Sequence, residues 1–246
     1  MKKIRGVLNK FKNLDQRDLE IFISEIINKD KSFVITHPEY RLSLFQYLKL
    51  SYFVSQRKKG YSVAAIVGHK EFYNLDFFVN KNVLIPRPDT ELMVEEAIKI
   101  IGHELETKNT NIIYIDIGTG SGSIPISVIK NLPKLTQTYA IDNSSLALKV
   151  AKKNAATHKV GIDFLHGNLL EPVLKNQPSL GTPCFITITA NLPYLTENQY
   201  QSEKSIQREP KNALVADKQG LALYEELLKQ TNLLPDYCQL FLLLEI

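Results

Sequence analysis

Apolar residues recur at helical spacing through the first segment, where Leu19, Phe22, Ile23, Ile26 and Ile27 mark one face. His37-Pro38 suits a second helix start, because proline is tolerated in a first turn. Leu42, Phe45, Leu48 and Tyr52 then form an apolar stripe expected to face a core, and Arg57-Lys58-Lys59-Gly60 reads as a helix stop. Over residues 61–83 the spacing changes. Phe72, Tyr73, Phe77, Phe78 and Val79 are strand formers, and Asn74 can turn between them, which predicts a hairpin. Asp89 is expected to cap a helix carrying Leu92, Val94, Ala97, Ile98 and Ile101.

Strand and helix patterns then alternate. Strands are expected over 112–117, 139–141, 162–165, 185–190 and 240–245. Helices are expected over 123–130, after the cap Asn143-Ser144, and over 221–228. Such alternation predicts an α/β fold with a mostly parallel sheet and helices on both faces. The chain therefore divides into an N-terminal helical domain (1–60), a connecting β-hairpin (61–90) and an α/β domain (91–246).

Composition narrows the class. Of 246 residues, 44% are hydrophobic and 23% charged, values that exclude disordered and collagen-like chains. No apolar run is long enough to span a bilayer, and the basic start Met1-Lys2-Lys3-Ile4-Arg5 lacks the apolar stretch of a secretory signal. Cys184 and Cys238 make neither a disulfide framework nor a zinc site, and they fit a reducing cytoplasm as two thiols. His37, His69, His103, His158 and His166 show no ligand spacing, so no metal is implied. Residues 1–75 hold 14 Lys and Arg against 7 Asp and Glu, a basic module on a near-neutral body. That excess suits either a solvated helical face or a steering surface.

Asp116-Ile117-Gly118-Thr119-Gly120-Ser121-Gly122 follows a predicted strand and opens a predicted helix. Glycines there let the backbone turn tightly and approach a ligand. Asp142 closes the next strand, near the spacing of a carboxylate that binds ribose hydroxyls. Together they point to a nucleoside cofactor. A dinucleotide would favour Gly-x-Gly-x-x-Gly and a pyrophosphate at the helix start. Asp116 would repel a pyrophosphate but could help hold a cationic ligand. The charge argument thus favours S-adenosyl-L-methionine, with its ammonium and sulfonium, over NAD.

Asn191-Leu192-Pro193-Tyr194 follows the strand predicted over 185–190, where α/β sheets bind ligands. Its chemistry suits an amide or amine nucleophile. Acceptors aimed at the two N–H groups of such a nitrogen position it and stabilise developing positive charge. The Asn191 side-chain oxygen can be one acceptor and the Leu192 carbonyl the other, while Tyr194 offers a flat wall.

These motifs resemble the seven-stranded class I (Rossmann-like) S-adenosylmethionine-dependent methyltransferases. More specific are Glu71-Phe72-Tyr73-x-Leu75-Asp76-Phe77, the string Val83-Leu84-Ile85-Pro86-Arg87-Pro88-Asp89-Thr90-Glu91, Arg208-Glu209-Pro210, Gly220-Leu221-x-x-Tyr224 and the closing residues 242–245. They resemble the bacterial peptide chain release factor glutamine methyltransferases over roughly residues 60–246. The resemblance implies methylation of the glutamine amide in the Gly-Gly-Gln loop of class I release factors, by a cytoplasmic monomer with no direct nucleic-acid or membrane partner. It implies substrate and catalytic roles for Asn191, Leu192, Pro193 and Tyr194. It implies cofactor contacts for Asp116, Gly118, Thr119, Gly120, Ser121, Gly122, Asp142, Asn168, Leu169 and Asn191. Arg87 and Glu91 are expected beside the substrate, with an ion-pair role for Arg87 equally open.

Three positions depart from the family pattern. Leu192 replaces a proline of the Asn-Pro-Pro-Tyr tetrad, and Asn168 stands where Asp is usual. The family also continues past Ile246 with a helix and two more strands, so the sequence reads as C-terminally incomplete, with an apolar sheet edge over 240–244. Two rival readings follow. Asn-Leu-Pro-Tyr also resembles the rRNA adenine dimethyltransferases, which suggests an rRNA or DNA adenine methyltransferase. Alternatively, the chain is a non-catalytic protein that binds cofactor or release factor.

Overall fold

The computed structural model describes residues 2–107, 111–176, 184–203 and 205–246. The chain divides at Gly68 into two compact units.

The first unit contains α1 (Ile4–Lys10), α2 (Gln16–Ile27), α3 (Lys31–Thr36), α4 (Leu44–Lys58) and α5 (Val63–Val67). Leu19, Phe22 and Ile23 of α2 pack with Leu50, Phe53 and Val54 of α4 in a hydrophobic core, and the Phe22 and Phe53 rings meet edge-on at 5.4 Å. His37-Pro38 does not begin a helix: α3 ends just before it, with His37 as its C-cap. Ser43 starts α4 instead. Its hydroxyl accepts the Gln46 N–H, and the Gln46 side chain accepts the Ser43 N–H. This reciprocal cap satisfies two groups, whereas a proline satisfies none. The expected buried stripe is corrected too. Leu42 is buried, but Phe45, Leu48 and Tyr52 are 78%, 58% and 59% exposed. Two apolar stripes run along α4, and spacing alone cannot say which one meets α2. The sequence assigned 63–67 to the linker. There Ser62 caps a further helix by accepting the Ala65 N–H.

The second unit opens with a hairpin of β1 (His69–Phe72) and β2 (Leu75–Phe78). Tyr73 and Asn74 form its turn with φ of 49° and 58°, the left-handed pair of a type I′ two-residue hairpin. Phe72 and Phe77 of this hairpin are buried in the core of the α/β unit. Asp89 does not cap the next helix. It lies inside a 3-10 turn, Pro88–Thr90, that runs directly into α6 (Glu91–Thr107).

Strand and helix then alternate through β3 (Asn111–Ile117), α7 (Ser123–Asn131), β4 (Gln137–Asp142), α8 (Ser145–His158), β5 (Asp163–His166), α9 (Glu171–Asn176), β6 (Cys184–Ala190), α10 (Glu197–Ser202), α11 (Ala222–Thr231) and β7 (Cys238–Leu244). The five strands pair in the order β5-β4-β3-β6-β7, all parallel. Alternate residues divide between two cores. Ile112, Tyr114 and Phe185 join α6 and α7 on one face. Ile113, Ile115, Ile117, Ile186 and Ile188 join α11 on the other. After β5 the chain returns to the far side of β3, so the order reverses between β3 and β6. Ligands of such sheets bind in the crevice at that reversal.

Cys184 and Cys238 face each other in the β6–β7 register, Cα atoms 4.6 Å apart, and are joined as a disulfide. This corrects the expectation of two separate thiols. Parallel pairing of these strands brings them together, a contact that spacing along the chain does not reveal. No helix among the described residues is long and apolar enough to cross a membrane.

Candidate active site

The glycine-rich loop leaves β3 and bends toward β4, where Gly118 and Thr119 donate to the Ile141 carbonyl at 2.9 and 3.0 Å. Gly118 has φ +72°, and a Cβ there would come within 3.0 Å of the Leu192 side chain. Gly122 has φ +78°, and a Cβ there would press on Ile126 and Ala151. The backbone conformation favours glycine at both positions, and at Gly122 the close Ala151 leaves little room for a side chain as well.

Asp142 ends β4. One carboxylate oxygen accepts the Gly120 N–H at 2.8 Å and the other the Ser144 N–H at 2.8 Å. Burial raises its pKa, opposed by these two N–H groups. Each oxygen retains a lone pair, so the carboxylate can hold the loop and still accept from a ligand hydroxyl.

Asp116 departs from expectation. Its side chain is fully buried and does not line the cleft. Asp116 alternates with Ile115 and Ile117 along β3, so its carboxylate points into the α6 side of the sheet. There Thr189 donates to it at 2.6 Å, and the Tyr114 and Thr189 hydroxyls bond at 2.9 Å. Burial pushes the carboxyl up to about 7, with the Thr189 and Thr119 hydroxyls opposing. The second Asp116 oxygen and the Thr119 hydroxyl are buried, close but without a well-formed bond.

A cleft of about 730 Å³, open mouth included, lies at the carboxyl ends of β3, β4, β5 and β6. Gly118, Gly120, Asp142, Asn168, Leu169, Asn191, Leu192 and Pro193 line it. Thr119, Ser121 and Gly122 do not. Thr119 and Ser121 are buried, and they shape the loop from behind. Asn168 donates to Glu171 at 3.3 Å, leaving its amide oxygen for other partners. Leu169 adopts φ +49°, a strained conformation of the kind that clusters at binding sites.

A second, smaller pocket joins the first at residues 191–193. It is lined by Arg87, Tyr194 and Glu245 as well as the shared tetrad residues. Arg87 pairs with Glu209 at 2.6 Å, and Glu209 also accepts the Ile85 N–H. Two of the sequence strings thus meet in one ion pair, at the pocket wall. Glu91 is not there. Its carboxylate accepts the Tyr73 N–H at 3.0 Å, because the first turn of α6 faces the hairpin. The Leu192 carbonyl is not wholly free: the Tyr224 hydroxyl lies 3.0 Å away and accepts the Leu192 N–H at 3.1 Å. With two lone pairs, the carbonyl can take a further donor. Thr90, Tyr224 and Glu245 were not singled out for the site from sequence, although each stands inside a quoted string. Among the described residues, no group of three or more His, Cys, Asp or Glu side chains is placed to hold a metal.

The parallel sheet with its order reversal, the glycine loop and the strand-end acid define a class I methyltransferase domain. Residues 93–199 match the family described as Methyltransferase small domain, and residues 4–68 match the PrmC N-terminal domain. The chain is 35% identical to the release factor glutamine methyltransferase of Enterococcus faecalis, an alignment covering 82% of this chain and 69% of that protein. It is 32% identical to that of Mycoplasma mycoides, covering 98% and 83%, and 36% identical to that of Flavobacterium psychrophilum, covering 87% and 74%. The chain belongs to the release factor glutamine methyltransferase family. Among solved structures, the hMettl16 catalytic domain in complex with MAT2A 3′UTR hairpin 1 is similar in fold, with TM-score 0.53 at 12% identity over 88% of this chain and 74% of that one.

Proposed function

We propose that the chain methylates the side-chain amide nitrogen of the glutamine in the Gly-Gly-Gln motif of class I peptide chain release factors, using S-adenosyl-L-methionine. The observation that carries this reading is the junction of the two pockets at Asn191-Leu192-Pro193. The larger cleft suits a nucleoside and the smaller one a planar side chain. The residues present fit the donor: two glycines without side chains and a carboxylate with lone pairs to spare face the cleft. When bound, S-adenosyl-L-methionine supplies a methyl group activated by its sulfonium.

Asp142 holds the ribose hydroxyls, Gly118 and Gly120 let the backbone approach the ligand, and Asn168 and Leu169 border the adenine. Asn191 and the Leu192 carbonyl accept from the two N–H groups of the glutamine amide. This orients the nitrogen and stabilises positive charge as it forms. Pro193 fixes the turn, and Tyr194 stacks against the amide plane. The helical N-terminal unit, with its excess of Lys and Arg, docks the release factor. On this reading the enzyme works as a cytoplasmic monomer without contacting nucleic acid directly.

The test is incubation with radiolabelled S-adenosyl-L-methionine and either a class I release factor, the same factor with its glutamine replaced, or ribosomal RNA. Label should enter the intact release factor alone. Asn191→Ala should lower kcat by about 10²–10³ while cofactor affinity holds. Label in the RNA, or in the factor lacking its glutamine, would overturn the assignment.

A further inference from the structure

The Asn191 amide is held by a relay whose direction is set by proton count. Its Nδ2 lies 3.1 Å from the Thr90 hydroxyl, which donates to the Glu245 carboxylate, also at 3.1 Å. A threonine hydroxyl has one proton, and a carboxylate only accepts. With that proton on Glu245, Thr90 turns a lone pair toward Asn191. Only the NH₂ edge of the amide fits there, which leaves the oxygen on the opposite edge. Thr90 is buried, and its own N–H is tied to the Arg87 carbonyl at 3.2 Å, which holds its backbone in place.

We propose that Thr90 is a positioning residue for the methyl acceptor, keeping the Asn191 oxygen, rather than its NH₂ group, available to the substrate amide. This rests on Asn191 acting as a clamp, as assigned above. The final torsion of an asparagine is broad and roughly two-fold, so nothing within Asn191 prevents a flip. A flipped amide would present donors to the donors of the substrate and lose the interaction. Glu245 sets the polarity of the relay from its far end. A neutral amide at that position could donate to Thr90, send the Thr90 proton toward Asn191 and reverse the chain.

The experiment compares T90V, T90S, N191A, E245Q and the double variant T90V/N191A in the full chain. It measures kcat on a release factor and, by calorimetry, affinity for S-adenosylhomocysteine. T90V keeps the shape of threonine without the hydroxyl, and kcat should fall about tenfold, the scale of one hydrogen bond, with affinity unchanged. T90S should recover most of the loss, and E245Q should be slow like T90V. In the N191A background, T90V should have no further effect. If N191A is slow and T90V is as fast as wild type, the relay is overturned and the clamp survives. If N191A itself is as fast as wild type, the clamp reading fails. If T90V costs as much with Asn191 absent as with it present, Thr90 acts through something else and the proposal falls.

Discussion

Asn154 supplies Phe78 with both partners of a missing strand. Its side-chain oxygen accepts the Phe78 N–H at 2.9 Å, and its NH₂ donates to the Phe78 carbonyl at 3.0 Å. The same NH₂ reaches the Ser121 carbonyl at 2.8 Å. One buried amide on α8 thus ties the hairpin to the glycine-rich loop across 76 residues of sequence. Asn154→Leu should destabilise the protein by about 3 kcal/mol, because three backbone groups lose their partner inside the protein. Urea unfolding measures this. A loss near zero would show that water replaces the amide.

Asp142→Ala should weaken S-adenosylhomocysteine binding by roughly tenfold to a hundredfold, the range of a charge-assisted hydrogen bond. The side chain also holds Gly120 and Ser144, so the alanine variant loosens the loop as well. Asp142→Asn keeps one acceptor and should fall between the two in calorimetry. Equal affinity in all three would remove the carboxylate from the binding site.

The Asp116 carboxyl, pushed up to about 7 by burial, should give stability a pH dependence of definite sign. The folded chain holds a proton that the unfolded chain releases near its ordinary value of 3.8. This contribution is therefore full below about pH 4 and is lost as pH rises through 7. The loss should be on the order of 4 kcal/mol, at 1.36 kcal/mol for each pH unit between the two values. Asp116→Asn has no proton to lose. Its stability relative to wild type should rise from about pH 4 to pH 7 in urea melts and level off above pH 7. A constant difference across that range would mean that Asp116 titrates normally.

Tyr224→Phe should cost both stability and rate. The hydroxyl accepts from the Leu192 N–H and lies against two carbonyls, those of Leu192 and Glu245. Removing it strands a buried N–H, at about 1–3 kcal/mol, and frees the tetrad backbone. Thermal melts and kcat should fall together, with cofactor affinity little changed. Wild-type kcat in this variant would show that the turn is rigid without the hydroxyl.

Much of the fold was legible because period and capping are local. The alternation from 111 to 244, the Ser144 cap and the hairpin all follow from neighbouring residues. The helix starts read at His37-Pro38 and Asp89 failed locally, because Ser43 caps α4 and Asp89 sits inside a 3-10 turn; the misread burial needed tertiary information. Phe45, Leu48 and Tyr52 recur at helical spacing, as do Leu50, Phe53 and Val54, and only packing against α2 separates the two stripes. The site divides in the same way. Asp142, Asn168, Asn191, Leu192 and Pro193 stand at or just past strand ends, where chain order predicts a ligand cleft, and they line it, while Tyr194 lines the smaller pocket. Asp116 has the right sequence neighbours, yet the alternation of β3 turns it to the far side of the sheet. Thr90 and Glu245 have no chemistry of their own to mark them. The roles proposed for them rest on a hydrogen-bond chain spanning 155 residues.

That span bears on how the enzyme comes to life. Thr90 meets Asn191 across 101 positions and Glu245 across 155. Contacts of such separation form late, since the entropy of closing the loop is lost before the contact contributes. Helices and the hairpin can mature early from local sequence, while the contacts of Thr90 with Asn191 and Glu245 wait for β6 and β7 to dock. During refolding from urea, the helical signal should therefore return before methyl transfer does. The lag between them times the docking of β7 against β6.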